Sequence, residues 1–158
     1  MPQFELVEHI HAKPREVFDF LIEVDNAKAV QPNVRSTEKI ADGVQAQSGE
    51  EAGTHYRQIR SHAGHEVESV VQVTTCESPF TYAVETEKEG VKACYRYTLT
   101  PAHGGCEIRL ACEVSAEGIR RPLAWLVAEM MRRKDHDLLL RLENAIEDQR
   151  LEAASKAD

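Results

Sequence analysis

The stretch from Ile119 to Arg150 constrains the fold more than any other part of the chain, because its apolar residues keep a helical spacing over most of its length. Residues three and four positions apart lie on one helix face, and this face carries Leu123, Val127, Met130, Lys134, Leu138, Arg141 and Ala145. Arg121-Pro122 suits a first helical turn, where proline is tolerated. At about 1.5 Å per residue, one helix of this length would cross a whole small domain. We therefore predict one long C-terminal helix that covers a sheet.

A charged run from Arg132 to Asp137 interrupts the apolar pattern of this helix. Opposite charges three and four positions apart can pair along one helix face. We interpret the run as a solvated face, not as part of the core.

Upstream of this helix, apolar and polar residues alternate in segments that are separated by short turn sequences. Such alternation is typical of half-buried strands, and short turns join antiparallel neighbours. Asp42-Gly43 is suited to a hairpin turn. We predict an antiparallel meander of about six or seven strands, within residues 4–11, 34–40, 53–61, 66–73, 80–86, 92–99 and 106–114.

Two short helices are predicted between the first and second strands. Pro14 and Glu16 suit a first helical turn, and Val17, Phe18 and Leu21 would form the apolar face of the first helix. The second helix would start at Asp25 or Asn26 and end near Pro32, because proline breaks a helix interior.

Composition and charge narrow the function classes. A chain of 158 residues suits one domain, for which we expect residues 1–150, with a frayed tail at 151–158. The net charge of −8 argues against nucleic-acid binding and, more weakly, against binding to anionic lipid surfaces. The chain has no long apolar run and no signal-peptide pattern, so we expect no membrane insertion and a cytoplasmic protein.

Three segments carry a resemblance to a known superfamily. They are AKPREVFDFL at 12–21, GTHYR at 53–57 and LENAIE at 142–147. Together with the order of elements, they resemble the START-like or Bet v 1-like (SRPBCC) superfamily, specifically its bacterial polyketide cyclase/dehydrase and lipid-transport branch.

The resemblance implies an α+β helix-grip fold, in which a curved antiparallel sheet wraps around the long C-terminal helix and leaves an internal cavity between them. It implies a small hydrophobic or amphipathic ligand, such as a lipid, polyketide-like or isoprenoid compound. Many relatives carry a tryptophan where this chain has Ala29-Val30-Gln31-Pro32, so any role of that aromatic at the cavity rim is absent or moved.

Aromatic residues on the predicted strands are the first candidates for the cavity wall. A tyrosine offers an apolar ring with one polar group, which suits a mixed pocket and equally suits ordinary core packing. The candidates of this type are Tyr56, Phe80, Tyr82, Tyr95 and Tyr97. Trp125 and Met130, on the predicted long helix, would close the cavity or simply fill the core.

Charged residues on the third predicted strand are the second group of candidates. His55, Arg57, Arg60 and His62 could hold a carboxylate or enolate inside a cavity. We favour solvated charges on the outer face for them, because arginine is rarely fully buried. We take His55 and Arg57 as the site candidates in this group. His9 and His11 share a strand face without a third ligand, so we expect no metal, and we expect no cofactor.

Three hypotheses of function remain from the sequence. The first is a carrier or sensor that holds a small hydrophobic ligand in the cavity. The second is a cyclase- or dehydratase-like enzyme that uses a cavity His, Tyr or Arg as an acid, base or oxyanion partner. The third is an interaction module with a filled core, which could form a homodimer and would expose an apolar patch.

Overall fold

The computed structural model of the chain describes residues 2–23, 26–31, 34–41, 54–62, 64–88 and 90–157. Helices α1 (Pro14–Ile22) and α2 (Ala27–Val30) follow the first strand, and α3 (Arg121–Asp135) and α4 (Leu138–Ala157) follow the last. The strands are β1 (Gln3–Ile10), β2 (Val34–Ala41), β3 (His55–His62), β4 (His65–Glu77), β5 (Thr81–Lys88), β6 (Val91–Ala102) and β7 (Gly105–Ala116).

In the described residues, seven strands form one antiparallel sheet in the order β1-β7-β6-β5-β4-β3-β2. Consecutive strands from β2 to β7 pair as a meander, and β1 pairs with β7 at the far edge. One face of the sheet is buried and the other is charged, because side chains alternate between the faces of a strand. The predicted α+β fold, with a meander and two short helices after the first strand, is confirmed.

Helix α1 covers one end of the buried sheet face. It starts with Pro14 in the first turn, and Val17, Phe18 and Phe20 are buried. Arg150 of α4 donates from Nε and Nη2 to the two carboxylate oxygens of Glu16, each at 2.6 Å. This bidentate pair joins the C-terminal region to the start of α1.

The predicted C-terminal helix is divided in two, which corrects the expectation of a single helix. Helix α3 ends at Asp135 and α4 starts at Leu138. The His136 Nδ1 lies 2.7 Å from the Arg133 carbonyl oxygen, which satisfies one of the free carbonyls at the end of α3. Asp137, directly before α4, pairs with Arg141, and a negative charge at a helix N-terminus is favourable.

The far end of α4 includes the tail for which fraying is predicted. The tail predicted to fray from residue 151 continues as helix to Ala157, although its described side chains are exposed. The predicted turn at Asp42-Gly43, the cap at Asp25 and the helix end at Pro32 lie outside the described residues.

Candidate functional site

We call the space between helices α1 and α2 and the buried face of the sheet the main cavity, because tyrosines of the sheet line it; wider and more open depressions lie beside it, along α1 and α4. The volume of the main cavity is about 100 Å³. The helical side supplies Phe20, Leu21, Glu23, Asn26, Val30 and Gln31, and the sheet supplies Thr37, Tyr56, Gln58, Val71, Tyr82, Val84 and Tyr97. The wall is therefore largely aromatic and aliphatic, with a few amide and hydroxyl groups.

A smaller compartment of about 60 Å³ adjoins this cavity and is its polar end. The two share Gln31, Gln58, Val71, Val84 and Tyr97, and the smaller one adds Arg60, Thr86 and Tyr95. Because five wall residues are common to both, we treat the two compartments as one site.

Arg60 is the cation of this site. Its guanidinium donates to the Gln58 side-chain oxygen from Nη2 at 2.7 Å and from Nε at 3.2 Å, and to the Gln31 side-chain oxygen at 3.4 Å. No carboxylate in the described part of the chain pairs with it. Neutral amides hold the guanidinium in place, so its positive charge is not neutralised.

The aromatic part of the wall is built by cross-strand pairing. Tyr82 and Tyr97 are directly opposite each other on β5 and β6, with ring centroids 6.4 Å apart. Phe18 of α1 meets Tyr82 edge to face at 6.2 Å. Such contacts fix the ring orientations and keep this wall apolar.

Behind the small compartment, Tyr95 donates a hydrogen bond from its hydroxyl to Oδ2 of Asp135, at 2.9 Å. Asp135 is only 2% exposed, and within the described residues its other oxygen has no hydrogen-bond partner. The charged run was predicted to be solvated, and for Asp135 this is wrong. The last residue of α3 turns its carboxylate inward onto the sheet.

Burial and the Asp135 charge keep nearby acidic groups protonated. Both effects raise the pKa of Tyr95 and of Tyr97 well above their usual value. The same two causes raise the pKa of the Cys112 thiol to about 12. At neutral pH these phenols are hydrogen-bond donors and not bases.

Four of the residues that the sequence proposed for the cavity wall are brought together there. Tyr56, Tyr82 and Tyr97 line the main cavity, and Tyr95 and Tyr97 line the smaller compartment. They come from β3, β5 and β6, whose inward-facing positions meet across the sheet.

The other five candidates lie elsewhere. Trp125 and Met130 are 66% and 54% exposed on the outer side of α3, and Phe80 is 50% exposed in the turn before β5. Arg57 points to the outer face and pairs with Glu68 at 2.9 Å. His55 shares that face, because it is two positions from Arg57 on the same strand.

The location of the cavity also differs from the expectation. It was predicted between the sheet and the C-terminal helix, whereas no residue of α3 or α4 is among the described lining of either compartment. The space beneath α4 is filled instead by Leu138, Leu139, Leu142 and Ile146, which are all buried.

Sequence analysis missed Gln31 and Gln58 and favoured a solvated outer face for Arg60, whereas Arg60 lines the smaller compartment. The available signal was the alternation along β3, which places Gln58 and Arg60 on the same side as Tyr56. If Tyr56 is assumed to be buried, the same alternation places Gln58 and Arg60 inside as well.

Residues 1–147 match the family model described as polyketide cyclase/dehydrase and lipid transport. The chain belongs to this family. No curated protein sequence matches the chain.

Solved structures of the same shape support the fold. The crystal structure of Ara h 8.0201 superposes with a TM-score of 0.73 at 18% identity, covering 93% of this chain and 98% of that one. TTHA0849 from Thermus thermophilus gives 0.71 at 16% identity, covering 94% and 99%. The di-domain ARO/CYC BexL from the BE-7585A biosynthetic pathway gives 0.75 at 14% identity, covering 93% of this chain and 47% of BexL.

At these identities the likeness shows the shared helix-grip fold, and the family member's own chemistry has to be argued from its residues. Among the described residues, no cluster of three His, Cys, Asp or Glu side chains could hold a metal ion. In the same residues, no helix combines the length and apolarity that crossing a bilayer requires.

Proposed function

We propose that this chain binds a small amphipathic molecule in the cavity beneath α1 and α2, as a carrier or sensor. The observation that carries the proposal is Arg60, a cation without a carboxylate partner among the described residues, at the polar end of an aromatic cavity. The polar end of the ligand would meet Arg60, and its apolar part would lie against Tyr56, Tyr82 and Tyr97.

The apolar and polar ends of the cavity would contribute to ligand affinity in different ways. Removing the apolar part of the ligand from water supplies most of the affinity. A guanidinium presents several donors in a planar fork that matches a carboxylate, so Arg60 would favour an anionic or carbonyl end group. The side-chain oxygens of Gln31 and Gln58 accept hydrogen bonds from the guanidinium, which orients it without neutralising its charge.

The cavity volume limits the size of the ligand. The compartments, at about 100 and 60 Å³, are smaller than the ~300–1,000 Å³ usual for drug-sized ligands. A ligand with few non-hydrogen atoms fits this space. A longer chain would require side chains of the cavity wall to move apart.

A cyclase- or dehydratase-like reaction is the second candidate, and Arg60 favours it as well. An unneutralised guanidinium in an apolar site could stabilise a developing enolate, and the phenol of Tyr97 keeps its proton and could donate to the same oxygen. The carboxylate in the described lining is Glu23, which is exposed at the mouth. The inner lining offers donors without a base, so binding is the better-supported function.

The experiment that tests binding is native mass spectrometry of the freshly purified protein, followed by organic extraction of anything bound. Arg60→Gln removes the proposed anchor, and Arg57→Gln on the outer face of the same strand is the matched control. We expect an amphipathic molecule on the unaltered protein and on Arg57→Gln, and its loss from Arg60→Gln. Equal occupancy of both variants would contradict the proposed role of Arg60, and a protein that neither carries nor binds an amphipathic molecule would contradict the function.

The enzyme hypothesis is tested on the molecule that is extracted. Incubation with the protein should leave it unchanged if the chain is a carrier. Conversion to a cyclised or dehydrated product, abolished in Arg60→Gln and kept in Arg57→Gln, would favour the cyclase-like alternative.

A further inference from the structure

Helix α3 is inverted relative to an ordinary surface helix. Its fully buried apolar side chains are the small ones of Ala124 and Ala128, at 2% and 7% exposure, and Val127 and Met131 pack partly buried against the core. Most of its other large apolar side chains face outward. Leu123, Trp125, Leu126 and Met130 are 40%, 66%, 58% and 54% exposed, and Ile119 in the preceding turn is 97% exposed.

These side chains form one surface, which we call the α3 patch. Leu123, Leu126 and Met130 are three and four positions apart and therefore lie on one helix face, and Trp125, about 100° around the helix from Leu126, lies on the other flank of the exposed side. A helix that served only to cover the sheet would turn most of its large apolar residues inward. Several large apolar side chains exposed on one side of a helix are typical of an interaction site.

The charge around the α3 patch is opposite to that of the chain. Between Arg120 and Arg133 there are four arginines and one glutamate, so this segment has a net charge of +3, whereas the whole chain has −8. All four arginines are exposed. Glu129 pairs with both Arg132 and Arg133. Among the described residues no acid pairs with Arg120 or Arg121.

We propose that the α3 patch docks the protein onto the surface of a lipid bilayer that carries anionic headgroups. Apolar side chains would enter the boundary between headgroups and acyl chains, and the arginines would remain at headgroup level. Tryptophan favours this boundary because its ring is apolar and its N–H is polar. None of these residues lines the ligand cavity, so the docking proposal does not depend on which ligand the cavity holds.

A second copy of the chain fits the patch less well. Closed dimers are commonly isologous, so the same patch meets itself. Two α3 patches would then bring like-charged arginines together, which is unfavourable. An anionic bilayer complements both the apolar side chains and their positive rim.

The test uses Trp125, the single tryptophan of the chain, as an intrinsic probe. Vesicles of phosphatidylcholine alone, or mixed with phosphatidylglycerol, are added to the intact protein, and fluorescence and co-sedimentation are measured. We expect the emission to move to shorter wavelength and the protein to sediment with the anionic vesicles. The binding should weaken as salt is added.

Two double variants separate the apolar and charged contributions. Leu126→Glu with Met130→Glu should abolish binding, and because both side chains are exposed the fold should persist. Arg120→Gln with Arg121→Gln should weaken partitioning roughly thirtyfold, since each arginine near an anionic surface contributes about a fivefold factor. Leu151→Glu and Arg96→Gln, at exposed positions on α4 and β6, are the matched controls and should bind normally.

Three results would overturn the proposal. One is no binding to anionic vesicles by the intact, folded protein. Another is equal binding to neutral vesicles that is unaffected by loss of the two arginines. The third is a dimer in solution that Leu126→Glu converts to a monomer, which would assign the patch to a second copy of the chain.

Discussion

Helices α3 and α4 were indistinguishable as halves of one predicted helix, yet they use their apolar residues in opposite ways. Helix α4 buries Leu138, Leu139, Leu142 and Ile146, each with 3% exposure or less. Helix α3 buries alanines and exposes Trp125 and Leu126. The break between them lies directly after Asp135, where a buried carboxylate replaces an apolar contact.

This difference shows what helical periodicity can and cannot reveal. Spacing of i, i+3 and i+4 identifies an apolar stripe, but it does not say whether the stripe faces the protein's own core or an external partner. The positions of small residues supply the missing information, because they indicate which side of the helix lies against the sheet. Ala124 and Ala128 let α3 approach the sheet closely with the other side of the helix.

The largest expected effect comes from truncating one leucine on each helix. Leu142→Ala on α4 should lower the free energy of unfolding by about 2–5 kcal/mol, because it leaves a cavity at a fully buried site. Leu126→Ala on α3 should change it by less than about 0.5 kcal/mol, because the side chain is mostly exposed. Urea unfolding of both variants measures the contrast. Similar losses for the two would show that α3 also packs into the core.

A smaller effect is expected at the junction of the two helices. Tyr95→Phe removes the donor to Asp135 and leaves a buried carboxylate without a described partner, which should cost about 1–3 kcal/mol of unfolding free energy. Tyr97→Phe is the matched control, because the Tyr97 hydroxyl makes no hydrogen bond among the described residues. Asp135→Asn keeps an acceptor for Tyr95 and should cost less than Tyr95→Phe. An unchanged unfolding free energy in Tyr95→Phe would mean that this hydrogen bond does not stabilise the junction of α3 and α4.

The raised pKa values of groups at the same junction predict how stability changes at alkaline pH. Cys112 and Tyr95 have folded-state pKa values raised above their ordinary 9.0 and 10.0. The unfolded chain therefore loses these protons first, and stability that is complete below pH 9.0 should fall as pH rises through and beyond these values. Urea midpoints measured across this range should show the decline. Tyr95→Phe should make the decline shallower, and an unchanged slope would contradict the assigned pKa shift.

Much of the fold was predictable, because the local sequence pattern indicates the strands of the meander, the turns and the short helices. The inward position of Tyr56 and of the β5 and β6 tyrosines follows from strand alternation. The place of the cavity was not predictable in the same way. It depends on how far α4 fills the space under the sheet, where Leu138, Leu139 and Leu142 are buried.

The charge argument from sequence considered only the chain as a whole. A net charge of −8 averages over the chain and hides the positive segment from Arg120 to Arg133. Whether such a segment matters depends on its exposure and on its neighbours, which only the packing of α3 defines. The outer face favoured for Arg60 could likewise be corrected only once β3 had a known inward face.

The smallest expected effect lies at the far end of α4. Arg150→Gln removes the pair with Glu16, and pairs this exposed usually contribute about 0.2–1 kcal/mol. The Arg150 guanidinium lowers the pKa of Glu16, so the contribution is present above the ordinary pKa of 4.5 and is lost as pH falls below it. Thermal unfolding at neutral and acidic pH should show the variant's defect at neutral pH alone. An equal defect at both would assign the effect to lost packing.

The most direct test of the account compares two matched probes: a short-chain fatty acid and the alcohol of the same chain length. Calorimetric titration of the unaltered protein and of Arg60→Gln gives four affinities. We predict that the carboxylate binds the unaltered protein roughly ten- to hundredfold more tightly than the alcohol, as expected for hydrogen bonds to a charged group. Arg60→Gln should remove that preference and retain the affinity for the alcohol. Equal affinities for acid and alcohol in the unaltered protein would contradict the assignment of Arg60 as the polar anchor.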